Sequence, residues 1–450
     1  MVRVTDMTHG RPIRLILLFS LPLMLGSVFQ QLYTIVDTII IGRGVGMQAL
    51  ASIGAADWIN WLVLWGLQGF TQGFAILAAQ EFGAGAYDRL RRVLAMIVKL
   101  SCWFGIAVTI ISLLLVRPLL TLLHTDPAVF GGAQTYLYVQ FGGSLIIIAY
   151  NMAAAVLRCL GDSRTPLFAI IAASFANIAL DLLFVMGFGW GIFGASFATV
   201  LAQLIAFLLC LRSLRRLPFV QLTKADWKTD PAILLHLCRL GIPTGLQMSM
   251  ITLGGMVLQS VLNGFGVVFV AGYTAANKLY GILESASVAF GYAMTAYMGQ
   301  NRGARNAARI DAGIRAVLVL SAEFTAAIVT AMLVAGKPLL GLFLSTEEAG
   351  AADALAVAYQ YLMVLMAFLF ALFMLQAYRS SLQGLGEMTV PTLSGFAEML
   401  MRMGAALVLP TFIGQSGVFF AEGAAWVCAA ALNLVWYYMR IGKIKREMLQ

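Results

Sequence analysis

Gln80-Glu81-Phe82-Gly83-Ala84-Gly85 is answered, roughly 220 residues further along the chain, by Gln300-Asn301-Arg302-Gly303-Ala304-Arg305. Arg117-Pro118-Leu119-Leu120 returns at the same spacing as Lys337-Pro338-Leu339-Leu340. Leu21-Pro22 returns as Ile242-Pro243. The run Leu160-Gly161-Asp162-Ser163-Arg164-Thr165-Pro166 returns as Leu385-Gly386-Glu387-Met388-Thr389-Val390-Pro391. Paired landmarks in one order along the whole chain mean that a single unit has been duplicated.

The solvent of that unit follows from composition. Of the 450 residues, 61% are hydrophobic and 11% charged, and the mean hydropathy is +0.89. No water-soluble core hides that much apolar surface, so the surrounding medium is lipid. Twelve apolar stretches are each long enough to cross a ~30 Å hydrocarbon layer as helix. They fall at 15–41, 49–79, 92–116, 130–157, 166–187, 191–211, 236–263, 267–298, 312–336, 355–382, 391–411 and 417–439. The expected fold is an all-α membrane protein of twelve transmembrane helices in two six-helix repeats. An N-lobe spans 1–215, a cytoplasmic loop 216–235 and a C-lobe 236–450. Six spans per repeat is an even number, so both repeats enter the membrane in the same orientation. Duplicated membrane units of this kind are characteristic of secondary transporters, which bind their substrates between the repeats.

The net charge of +9 suggests nucleic acid until its distribution is read. With both termini cytoplasmic, only Arg43, Arg117 and Lys337 fall in outer segments, and Lys99, Lys278 and Arg402 within spans. The excess charge therefore sets topology. The polar Met1–Arg14 segment precedes an apolar run too long for a signal-peptide core and lacking a cleavage site, so it is expected to be retained. The cysteines at 102, 159, 210, 238 and 428 lack metal-ligand spacing and are expected to pack as small apolar residues. No metal and no resident cofactor is expected. His9, His124 and His236 lie near span ends, which leaves no mid-membrane base for an intramembrane enzyme. No nucleotide-binding P-loop is present.

An ionisable group inside a span needs a reason. Asp37 lies about 8 Å, and Asp181 about 9 Å, from the outer ends of the first and fifth spans at ~1.5 Å per residue. Two acids at one depth in one lobe can share a cation. Asn177 precedes Asp181 by one helical turn, and Thr199 reaches a similar level in the sixth span. These oxygens suit Na+ and equally suit proton storage, because two close carboxylates repel and one is expected to hold a proton. The alternative is a hydrogen-bonded pair that merely ties two spans together. Gln30, Tyr33 and Asp37 share a stripe of the first span, and Pro22 near its inner end makes bending cheap. Asn151, Asp57, Lys278 and Glu284 are further candidates for a substrate cavity. Glu323 has no obvious partner in its span, and Glu398 and Arg402, four apart, are expected to neutralise each other. The stripe Trp58, Trp61 and Trp65 is expected to pack or to sit at the membrane interface.

Leu21-Pro22, Val36-Asp37-Thr38 and Ile41-Gly42 resemble the first helix of the MATE (multidrug and toxic compound extrusion) transporters. The paired segments 80–85 and 300–304 resemble that family's loops after its second and eighth helices. Asn177–Phe184 with Gly194-Ala195 and Ala198-Thr199 is similar to its fifth and sixth helices. The resemblance covers the chain. It implies a V-shaped MATE/MOP-type fold and antiport of a cationic or lipophilic drug-like molecule against H+ or Na+. It also implies Asp37, Asn177, Asp181 and Thr199 as the cation or proton site, and a first helix hinged at Pro22. The stretch after Pro243 reads Thr-Gly-Leu-Gln-Met-Ser-Met-Ile-Thr-Leu-Gly-Gly, without the acid of NorM-like members. That favours the DinF-like branch and H+, with Na+ left open. A monomer in the plasma membrane is expected, handling a small molecule and no nucleic acid. The rival reading is a lipid-linked oligosaccharide or peptidoglycan-precursor flippase of the same superfamily, which would need several basic residues in its cavity.

Overall fold

The computed structural model describes residues 4–344 and 350–449. Among them are thirteen α-helices and no strand. The first seven are α1 (Pro12–Gly44), α2 (Met47–Gly83), α3 (Tyr87–Leu122), α4 (Pro127–Gly142), α5 (Ser144–Cys159), α6 (Arg164–Asp181) and α7 (Gly191–Arg215). The remaining six are α8 (Pro231–Asn263), α9 (Val267–Gly303), α10 (Ala307–Gly341), α11 (Ala351–Gly384), α12 (Thr389–Ile413) and α13 (Phe420–Leu449).

Each predicted span lies on helix, and three depart from a plain rod. The fourth is broken: α4 and α5 meet at 50°. Gly142 and Gly143 occupy the break, where a Cβ on Gly143 would stand 2.6 Å from Val200 Cγ2 of α7. The fifth continues past α6 as a π-helical turn, Leu182–Gly187. The last begins with the 3-10 turn Gln415–Phe419. Among the described residues, ten helical stretches are long and apolar enough to cross a bilayer, and the bent pair would make an eleventh. The remaining one, α9, is 37 residues long but interrupted by Asn277, Lys278 and Glu284.

The chain divides into two compact units, one built mainly of Leu21–Gly245 and the other of Met7–Ser20 with Leu246–Gln450. In the first, α6 packs on α7, α5 on α7, and α2 on α4 and α5. In the second, α9 packs on α11, α11 on α10 and α13, and α12 on α13. Met7–Ser20 joins the second unit because the repeated Gln300-Asn301 motif holds it. The Met7 amide donates to Gln300 Oε1 at 2.8 Å, and Asn301 Nδ2 and Arg309 Nη2 donate to the Met7 carbonyl.

Pro218–Val220 and Lys224–Trp227 form short turns in the loop between α7 and α8. Lys99 reaches out of α3 and donates to the Trp227 carbonyl and Thr229 Oγ1, at 2.5 and 2.9 Å. Burial pushes the Asp226 carboxyl up, but donation from Thr223 and the Arg91 and Arg92 charges outweigh it and hold the group below the usual range.

Close approach of α2 to α8 depends on Gly73. A Cβ there would lie 2.6 Å from both the Leu240 carbonyl oxygen and the Gly241 Cα, backbone atoms that cannot move aside. Gly73→Val is therefore expected to destabilise the first unit by about 1–3 kcal/mol, the usual cost of overpacking. The check is the melting temperature of purified protein in detergent, with Gly54→Val, at a position with no atom near the added Cβ, as the control.

Candidate functional site

The C-terminal part of α1, the N-terminal parts of α2 and α7, and the end of α6 with its π-helical turn are drawn together by an apolar cluster. Ile40, Ile41, Ala49, Val185 and Ala195 are buried, with Val36, Ile178 and Ile192 packed around them. Asp37 follows Val36 by one residue, and Asp181 follows Ile178 by three, so this packing brings the two acids together. Asp181 is the last residue of α6, immediately before the π-helical turn. Such turns are frequent at functional sites because they re-aim side chains.

The Asp37 and Asp181 carboxyls come within hydrogen-bonding reach of each other. As bare carboxylates neither has a donor to offer. Accordingly Asp37 Oδ1 and both Asp181 oxygens are buried without a hydrogen-bond partner among the described residues. Asn177, one turn before Asp181 and 1% exposed, is in the same condition at both its amide atoms. Each buried acceptor left unpaired costs about 1–3 kcal/mol. Four in one place, with no Lys or Arg acting on either carboxyl, form an oxygen-rich set that suits a cation or a proton.

The other predicted residues distribute as follows. Thr199 lies on α7, where its hydroxyl donates to the Ala195 carbonyl at 3.2 Å and keeps its lone pairs. Gln203, one turn further along α7, carries another buried amide oxygen without a partner, which the sequence reading missed. Tyr33, one turn before Asp37, lies in the field of both acids. Asp57 of α2 lies within electrostatic reach of Asp37. Asn151 is turned to its own helix, donating to the Ile147 carbonyl at 2.9 Å. Pro22 lies inside α1, which runs through it as one helix.

The second unit holds a charged ladder that local spacing did not disclose. Glu398 and Arg402 do pair, at 3.1 Å, but they do not close on each other. Glu398 also accepts from Arg379 Nη2 of α11 at 2.5 Å. Arg402 also reaches Glu422 of α13 at 2.8 Å and the Ile251 carbonyl of α8 at 3.0 Å. Arg379, Glu398 and Arg402 are all buried. Glu284, one turn after Tyr280, lies in the field of Glu422 and Arg402. Lys278 and Glu323 are exposed. Arg379 and Glu422 could have been found by treating every charge within an apolar stretch as a question. Their partners lie on other helices, beyond the reach of spacing rules.

Comparison with known proteins agrees with this architecture. The MatE family model matches residues 22–183 and 243–408, one segment per repeat. The chain is 32% identical to "Probable multidrug resistance protein YpnP" of Bacillus subtilis over 100% of its own length and 99% of that protein. It is 22% identical to "Multidrug export protein MepA" of Staphylococcus saprophyticus, over 94% of this chain and 93% of that one. Among solved structures, a MOP superfamily transporter from Pyrococcus furiosus superposes with a TM-score of 0.91 at 24% identity, covering 98% of this chain and 99% of that one. An outward-facing multidrug resistance MATE family transporter superposes with a TM-score of 0.90 at 24% identity, covering 98% of each chain. With the family model matched in both repeats and one relative matched end to end, the chain belongs to the MATE family of multi-pass membrane transporters.

Proposed function

We propose that the protein is a cation-coupled antiporter that exports cationic or lipophilic drug-like molecules. The coupling ion enters through Asp37 and Asp181, supported by Asn177 and Thr199. The observation that carries this reading is the cluster of orphaned oxygens around two facing carboxyls with no basic partner. Such a site exchanges positive charge: an ion arriving from outside neutralises the pair, and its departure inward restores the negative field. We assign the protein to the DinF-like branch, acting as a monomer in the plasma membrane with both termini cytoplasmic.

H+ is the preferred ion. Two facing carboxyls suffice to carry a proton, and the α8 stretch after Pro243 adds no acid that would build a second cation cage. The flippase reading finds no support in the second unit. There Arg379 and Arg402 are tied to Glu398 and Glu422 and are not available to a pyrophosphate.

Proteoliposomes decide the ion. An inward pH gradient without Na+ is expected to sustain uphill drug transport, and a Na+ gradient at equal pH is expected not to. Transport in the second condition only, lost when K+ replaces Na+, would make the same residues a Na+ site. Transport in neither condition would defeat the antiporter reading.

A further inference from the structure

We propose that Asp57, with Asn60, Tyr136 and the Trp61 indole, forms a docking site for the cationic head of an organic ammonium substrate, separate from the Asp37–Asp181 pair. The proposal rests on the antiporter reading and names where that antiporter would hold its cargo.

The placement is set by packing. Ala56 and Ile59 are buried with Val116, Leu120, Ala133, Leu137 and Phe141, which fastens one side of α2 to α3 and α4. Tyr136 of α4 packs at the edge of this cluster, and Asp57, Trp61 and Trp65 follow along α2 at intervals of one turn, and so on a single adjoining stripe. That stripe is open: Trp61 is 43% and Trp65 44% exposed. Its Asp57 end lies within the field of Asp37, so the stripe runs beside a polar site. An interfacial or packing role for the tryptophans leaves Asp57 unexplained.

A second, independent observation indicates what is missing. Asn60, one turn from Asp57 and 4% exposed, donates its Nδ2 to the Tyr136 hydroxyl at 3.2 Å. Its Oδ1 is buried and accepts from nothing among the described residues. Tyr136 lies in the field of both Asp57 and Asp37. The charged group acting on Asp57 is another acid, Asp37. A carboxylate and an orphaned amide oxygen, with no cation opposite, call for a positively charged ligand that donates hydrogen bonds.

The size and chemistry of that ligand follow from the indoles. Trp58 meets Trp61 edge to face, at 5.3 Å and 72°, which steadies Trp61 while leaving it 43% exposed. Indole faces attract organic cations, whereas a metal ion would require oxygen ligands on all sides. Asp37 then stands between two sites. A proton reaching it removes negative charge beside Asp57 and loosens the drug, which is what exchange requires.

The test is equilibrium binding of ethidium, a permanent organic monocation, to the full-length protein in nanodiscs, read by fluorescence anisotropy. Asp57→Asn is expected to weaken binding about tenfold, and Asp57→Glu to restore it to within about threefold. Trp61→Ala lies outside the packed core and carries the same test without endangering the fold. It is expected to weaken ethidium about threefold or more, with Trp61→Phe in between. Binding of the uncharged dye Nile red is expected to be unchanged in all four. Wild-type ethidium affinity in both Asp57→Asn and Trp61→Ala overturns the proposal, as does equal weakening of Nile red. Transport under neither a pH nor a Na+ gradient would instead defeat the antiporter reading, leaving the binding result to decide this site by itself.

Discussion

Proteoliposomes containing Asp37→Asn or Asp181→Asn are expected to lose gradient-driven drug transport down to the leak of protein-free vesicles. Asparagine keeps the shape and volume of the side chain but holds no charge and takes up no proton. It therefore cannot switch the site between a neutral and a negative state. Both acids are expected to be needed, because their carboxyls face each other and the loaded state is a property of the pair. The protein should still fold: replacing an acid that lacks any basic partner removes a desolvated charge and breaks no ion pair. Retained or raised thermal stability together with lost transport is thus the expected signature. The supporting oxygens should matter less. Asn177→Ala removes one neutral ligand, so the half-saturating coupling-ion concentration is expected to rise about tenfold, the equivalent of ~1.4 kcal/mol. Wild-type transport rates in both aspartate variants would move the coupling site elsewhere, with Glu284 as the next candidate.

The sequence displayed much of this architecture, for reasons that are physical. Lipid leaves the backbone no choice but helix, so the apolar stretches and their twofold repetition were readable without tertiary knowledge. Asp37 and Asp181 stood out because a charge at membrane depth is rare enough to draw attention singly. The bend at Gly143 and the π-helical turn after Asp181 were not readable. Each depends on what a neighbouring helix presents, Val200 of α7 in one case and, in the other, Ile40 and Ile41 of α1, Ala49 of α2 and Ala195 of α7 packed with Val185. The Glu398–Arg402 pair was half readable. Its i,i+4 spacing predicted one bond correctly, but no local rule reaches from α12 to Arg379 on α11 or Glu422 on α13.

Those longer bonds make Glu398 the residue whose loss should cost the most stability. Its two oxygens each hold a different guanidinium, Arg379 at 2.5 Å and Arg402 at 3.1 Å, and all three side chains are buried. Glu398→Gln leaves the shape but removes the charge between two cations. Arg402 keeps Glu422 at 2.8 Å, whereas Arg379 is left as an uncompensated buried charge. Breaking a buried pair from one side costs about 3–5 kcal/mol. A loss of that size is a large share of a typical domain's stability of ~5–15 kcal/mol. Glu398→Gln is therefore expected to shift most of the protein from the monodisperse to the aggregated fraction on size exclusion after mild heating. Removing both partners should reverse this. Arg379→Met with Glu398→Leu leaves Arg402 and Glu422 as a neutral pair and fills the gap with apolar atoms, so the double variant is expected to melt within about 1 kcal/mol of wild type. A Glu398→Gln protein as stable as wild type would show that the ladder holds nothing together. A double variant no better than the single would show that the second unit needs the charges themselves, and Arg379 would then have to be tested as a participant in transport.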